Sequence, residues 1–247
     1  MAKKTAYSLG GILFIFATWL ILYITVKNQV VIPSPLKTIK EALLLFTKGY
    51  FYSALFNTLL RVIIAFIISF ILAVITAVLS CKFSAFAGVF NVVIAVLRSL
   101  PTLAILLVIL VLSVSRTTAP VAVCFLTLFP LLHTGVYSAI SAVSKEQIEM
   151  CKVYKVPFKK QVFNLYLPSV LPPLCLDVSS ALSFGIKLTV SAEILASVYG
   201  SIGGLMYEAS IYSPTMLFAL AIAVCIIGII IEVIGKFAFE KAGKRLR

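Results

Sequence analysis

Long apolar runs decide what this chain can become. Stretches 8–26, 54–79, 86–112, 119–142, 170–192 and 214–235 are almost continuously apolar, and each is close to the ~20 residues a helix needs to cross a bilayer core. Inside that core every backbone N–H and C=O must be satisfied within the segment, so runs of this kind read as helices. Only 12% of the 247 residues are charged and 62% are hydrophobic, whereas a water-soluble domain carries roughly 25% charged residues. There is too little polar surface to cover a soluble globule, and too much Leu, Ile, Val and Phe for disorder. The expected fold is all-α: one polytopic domain over residues 1–247, with six transmembrane helices embedded in the lipid bilayer.

Charge placement sets the orientation. Lys and Arg number 21 against 8 Asp and Glu, a net charge of +13. A soluble protein this basic would suggest nucleic acid, but here the cations fall between and after the apolar runs, so no nucleic-acid partner is expected. Lys3, Lys4, Lys82, the lysines of the loop 144–167 and the basic C-terminal tail share one side. Lys27, Lys37, Lys40, Lys48 and Arg116 take the other. The richer side is cytoplasmic by the positive-inside rule, which puts both termini in the cytoplasm of a multi-pass protein of the inner membrane. The first run lacks the short core and small-residue cleavage site of a secretory signal and reads as a retained span. Five scattered cysteines have no metal-ligand spacing and read as small fillers of helix interfaces.

Two connections are too long to be simple turns. In 27–53, Ile39, Leu43, Leu44 and Phe46 recur at helical spacing beside Lys37, Lys40 and Glu41, which predicts a short helix on the outer membrane surface. In 144–167, Ser144 with Gln147 three residues later predicts a helix start. Pro157 separates a first helix, near 145–154, from a second carrying Val162, Phe163, Leu165 and Tyr166. Pro168 is expected to break the chain before the fifth span. Two short amphipathic helices joined by a bend, with a basic rim, suit the groove of a soluble partner. The alternative is that they simply lie on the membrane surface.

Glu149-Met150-Cys151, followed by Lys155 and then Leu167-Pro168, resembles the EAA loop of the permease subunits of bacterial ABC importers. There the motif is Glu-Ala-Ala, a Gly four residues after the second Ala, and a later Leu-Pro. The resemblance extends to Asn57-Thr58-Leu59-Leu60-Arg61-Val62, to Leu97-Arg98-Ser99-Leu100-Pro101-Thr102-Leu103-Ala104, and to Ala192-Glu193-Ile194-Leu195-Ala196-Ser197 with Gly203-Gly204-Leu205-Met206. These pieces are similar to the nitrate, sulfonate and taurine branch of that family. The resemblance implies that Glu149, Met150, Cys151, Lys152, Lys155, Pro157, Leu167 and Pro168 form the element that couples to cytoplasmic ATPase subunits. Lys155 stands where the family has Gly, which accepts positive φ without penalty, and Pro157 is expected to redirect the chain instead.

Polar groups inside the spans are the remaining candidates. Arg98 and Pro101 interrupt the third span, and interrupted backbone is tolerated where it lines a cavity. Arg98, Pro101 and Thr102 either border a solute path or form a proline kink whose Arg bonds a neighbouring helix. Lys187 is a further path candidate, able to meet Asp177 or another span. It points about 120° away from Glu193 around a helix, so those two are not expected to pair. Glu193, near the outer end, is either solvated or, like Asp177, part of a structural ion pair or of the solute path, the ion pair being the default. His133 has no companion at ligand spacing, which argues for a structural role and no metal site. The Gly200–Gly204 cluster lacks a phosphate-loop pattern and reads as a loop turn.

No nucleotide motif or catalytic cluster occurs in the chain, so neither enzyme activity nor a cofactor is expected of it. The resemblance implies a permease subunit whose ATP is hydrolysed by a separate subunit and whose solute arrives on an extracytoplasmic binding protein. One coupling loop per chain and two ATPase sites imply a homodimer. The branch points to a sulfonate-, taurine- or nitrate-like anion, or a thiamine-precursor-type pyrimidine. The alternative is a self-contained secondary transporter, which would need paired intramembrane acids and inverted repeats.

Overall fold

The computed structural model describes residues 2–112 and 115–245. The last two residues of the basic tail, which enter the charge count above, lie outside the described residues. The described chain is all-helical: α1 (Ala2–Val26), α2 (Pro35–Leu45), α3 (Gly49–Lys82), α4 (Ser84–Ser99), α5 (Thr102–Leu112), α6 (Ala119–Ser141), α7 (Lys145–Val153), α8 (Phe158–Gln161), a π-helical turn (Val162–Tyr166), α9 (Leu167–Ala196), α10 (Ile202–Tyr212) and α11 (Pro214–Arg245). Four stretches are long and apolar enough to cross a membrane: α3, α6, the continuous run Phe158–Ala196, and Pro214–Gly235. The pair α4–α5 makes a fifth if counted as one bent span. In α1 the apolar part described, Leu13–Val26, falls short of a full span. The structure thus gives four or five spans by this measure, where the apolar runs predict six.

Along most of α3, size decides which face is inside. Beyond Phe51 in its first turn, the buried positions of α3 are Ala54, Thr58, Val62, Ala65, Ser69, Ala73, Ala77 and Ser80, a small-residue stripe at three- and four-residue spacing. The large residues Ile63, Ile67, Ile71 and Ile75 point outward. Lipid offers no hydrophobic penalty for exposing Ile, so the helices associate where backbones approach closely. Ser69 Oγ donates to the Phe125 carbonyl across the α3–α6 seam. A Cβ on Gly235 would come within 2.6 Å of Ser179 Oγ on α9, so the α9–α11 crossing also depends on a missing side chain.

The bend between α4 and α5 is 92° and has a local cause. A residue before proline is pushed out of the α region, and Leu100, ahead of Pro101, sits at φ −70°, ψ 128°. The predicted interruption of the third span is therefore present, and it is a near right angle rather than a kink. α2 forms as predicted, but it buries Thr38, Ala42 and Leu45, the last two in a cluster with Phe51, Leu220 and Ala223, instead of merely resting on a surface.

Three expectations need correction. Pro168 does not break the chain: α8, the π-helical turn and α9 form one continuous helix, with Pro168 in the first turn of α9. The proline removes an i→i−4 donor, and the preceding turn widens so that the Leu167 N–H reaches Val162 O, the i→i−5 pattern. The second amphipathic helix is thus the N-terminal extension of a span. The segment after Gly200, read as a loop turn, contains α10. Of the cysteines, Cys124, Cys151 and Cys175 are buried fillers, whereas Cys81 and Cys225 are exposed.

Candidate functional site

The loop after α6 folds from local signals. Ser144 caps α7, its Oγ accepting the Gln147 N–H at 3.3 Å and donating to the Glu146 carboxylate. That hydrogen bond holds Glu146 below the usual carboxylate range. At the other end, the Val156 N–H reaches Cys151 O and the Lys155 N–H reaches Lys152 O. This is the pair of hydrogen bonds that defines a Schellman motif. Its left-handed position is Lys155, at φ +49°. The bend at the family's glycine position is therefore kept by a lysine in a glycine conformation, and Pro157 follows it rather than replacing it. Cys151 is buried, while Glu149, Met150, Lys152, Lys155 and Pro157 are exposed, as is Leu167 marginally. Val153, Tyr154 and Phe158 stand out beside them at 77%, 76% and 74% exposure. An apolar knob rimmed by lysines projects from the bundle.

The intramembrane candidates gather around the α4–α5 bend. Arg98 lines two cavities. One, of about 170 Å³, lies beside Thr102, Thr127 and Pro130; the other, of about 290 Å³, is shared with Thr134, Ser138, Asp177 and Ser180. No ion pair joins Arg98 to Asp177, so opposite charges from α4 and α9 face one space without neutralising each other. A Cβ on Gly135 would lie 2.6 Å from Asp177 Oδ2, so the absent side chain on α6 makes room for that carboxylate. Pro101 forms the bend itself and is exposed. Lys187 meets neither Asp177 nor another span. It is exposed on α9, in a stripe with Asp177, Ser180, Phe184 and Ser191. His133 is buried among the rings of Phe90, Phe129 and Tyr137.

Glu193 is not solvated. It is 0% exposed and its Oε1 lies 2.8 Å from Arg61 Nη1, itself 16% exposed. Its Oε2 accepts from Thr58 Oγ1 at 2.9 Å and from the Gly203 N–H at 3.1 Å. Thr58 Oγ1 in turn accepts the Ile202 N–H, and Ser201 Oγ accepts that of Gly204. The first N–H groups of α10, which have no partner within the helix, are all satisfied by α3, α9 and the cap. Helical spacing excludes Lys187 as the partner of Glu193 but cannot reveal Arg61 132 residues away. The available signal was that both partners sit in stretches that carry the sequence resemblance, Asn57–Val62 and Ala192–Ser197.

The sequence profile of the binding-protein-dependent transport system inner membrane component family matches residues 69–244. The chain belongs to that family. It is the permease subunit of an ABC importer, and the stand-alone secondary transporter is set aside. The family is one of transport permeases, not enzymes, and implies an ATPase subunit and a binding protein as partners. Among solved structures, an amino acid ABC transporter crystallised with histidines is similar at TM-score 0.64 and 17% identity, over 79% of this chain and 94% of its own. An inward-facing methionine ABC transporter is similar at TM-score 0.64 and 17% identity, over 78% and 94%. At that identity the likeness concerns the fold alone. No curated protein sequence matches the chain.

Proposed function

We propose that this permease works as a homodimer in the inner membrane, with six spans per chain and both termini cytoplasmic. It passes a small solute from an extracytoplasmic binding protein along a path bordered by Arg98, Pro101, Thr102 and Lys187, to which we add Asp177. The observation that carries the reading is the shared cavity of Arg98 and Asp177 beside the broken α4–α5 span. Charges within spans are expensive unless they face protein or a water-filled cavity. The stripe Asp177, Ser180, Lys187 and Ser191 is open on the isolated chain, and a second copy packed against α9 would remove it from lipid.

Of the solutes the sequence suggests, the cavity favours one carrying both charges. A taurine-like zwitterion would offer its sulfonate to Arg98 and its ammonium to Asp177, whereas nitrate or another simple anion leaves Asp177 uncompensated, and a pyrimidine precursor uses neither charge fully. The similar structures named above are described as amino acid and methionine transporters, which also handle zwitterions.

The coupling element is the knob of Glu149, Met150, Cys151, Lys152, Lys155 and Pro157, carried on the Leu167–Pro168 end of α9. An apolar projection with charged edges fits a groove in the ATPase. The deciding experiment is copurification with the ATPase encoded nearest to it, at two permeases to two ATPases. Glu149→Lys reverses charge on an exposed position and is expected to abolish copurification while the permease stays folded. Retention of the ATPase by that variant would remove Glu149 from the contact, and a wild-type permease that holds no ATPase would sink the reading.

A further inference from the structure

The largest cavity described, about 720 Å³, is not in the solute path. It opens where the coupling loop meets the membrane, between the end of α3, the start of α4, the end of α6, α7 and the π-helical turn. Lys82 and Lys145 line it, together with Asn91, Tyr137 and Tyr166, and no Asp or Glu is among its described lining residues. Among the described residues neither lysine has an ion-pair partner: the Lys82 ammonium lies 5.3 Å from the centroid of the Phe83 ring, and the Lys145 side chain makes no hydrogen bond. Among the described residues the side chains of Asn91 and Tyr166 also have no hydrogen-bond acceptor. These donors, two of them cationic, share the space with serine hydroxyls, while alanine, glycine, valine and isoleucine supply its apolar wall. Half of the cavity suits an anionic, hydrogen-bond-accepting head and half suits an apolar body.

We propose that this cavity binds the phosphate headgroup of an anionic phospholipid such as phosphatidylglycerol, with Lys82 and Lys145 on the phosphate and Asn91 and Tyr166 on its oxygens and glycerol hydroxyls. Its depth supports a lipid over a soluble phosphate. Lys82 ends the apolar run of α3 and Ser84 starts α4, so the site lies at headgroup level, where basic pockets between helices take lipid heads. The site has a consequence for transport because Lys145 belongs to the coupling loop and Lys82 to a span. A bound headgroup bridges the two and stiffens the joint through which ATPase movement reaches the membrane helices.

The test uses the purified permease–ATPase complex. Native mass spectrometry after exchange into phosphatidylcholine with a minor share of phosphatidylglycerol is expected to find phosphatidylglycerol retained selectively. The double variant Lys82→Gln, Lys145→Gln is expected to lose affinity about thirty-fold, and Lys82→Arg, Lys145→Arg to keep most of it, which separates charge loss from misfolding. In nanodiscs, solute-stimulated ATPase activity should be higher with phosphatidylglycerol than with phosphatidylcholine alone, and that difference should vanish in the glutamine variant. Equal retention of the two lipids, or unchanged retention in the glutamine variant, overturns the proposal. Displacement of the lipid by millimolar inorganic phosphate would assign the site to a soluble anion instead.

Discussion

Arg61 and Glu193 show how strongly a single buried charge depends on its surroundings. The carboxylate has three donors and no exposure to solvent, so its desolvation is offset only while all three remain. Removing one member of such a pair leaves an uncompensated charge, at about 3–5 kcal/mol. Arg61→Ala is therefore expected to lower the thermal unfolding midpoint in detergent sharply and cut folded yield, with Arg61→Lys intermediate; an unchanged midpoint would show that the pair contributes little. Lys155 is the opposite case. It spends a left-handed conformation that costs an ordinary residue about 1 kcal/mol, while its side chain is exposed. Lys155→Gly should stabilise the loop by roughly 0.5–1 kcal/mol, less what glycine loses in backbone entropy, and Lys155→Val should destabilise it. Thermal shift of the ATPase complex reads both, and a drop with glycine would mean that the lysine side chain makes a contact the isolated permease lacks.

At the scale of elements, close approaches and breaks matter more than propensity. α10 lies so near the end of α9 that a Cβ on Gly203 would come within 2.7 Å of Val190 O and the Ile194 N. Backbone cannot step aside as a flexible side chain can. Gly203→Ala is expected to cost about 1–3 kcal/mol through overpacking and to loosen α10, measured as faster amide exchange in Ile202–Tyr212; unchanged exchange would contradict the close packing. The bend at Leu100 follows from one proline, and its presence was legible because pre-proline sterics are local. The 92° angle was not, because it is set by what α5 packs against: Leu106 is buried with Val123 of α6 and Ala192 of α9. The same limit explains Pro168. Proline as a helix breaker is a sound local rule, but in the first turn of α9, behind a π-helical turn, its missing N–H and its ring are both accommodated.

For the whole molecule, the isolated chain leaves Asp177, Ser180, Lys187 and Ser191 open along one face of a membrane helix. A homodimer that closes this face predicts that Lys187→Cys, in a background free of the five native cysteines, cross-links two copies in native membranes, whereas a cysteine at the outward-facing Ile67 does not. Equal cross-linking at both positions, or none at 187, would count against the face as an interface.

The sequence by itself determined that the protein lives in a bilayer, that it is helical, where most apolar helices run, where the long loop 144–167 lies and how α7 is capped, because each of these follows from run length or from residues within a few positions of one another. The bend at Leu100 and the helical α2 belong to the same class. Only the tertiary structure decided that Glu193 is paired, that Arg98 and Asp177 share a cavity, that the helical segment before α9 is continuous with it, and which small residues are inside. Those outcomes depend on contacts between residues far apart in the chain, and in a membrane protein apolarity cannot point to them, since the lipid-facing side of a helix is as apolar as its core.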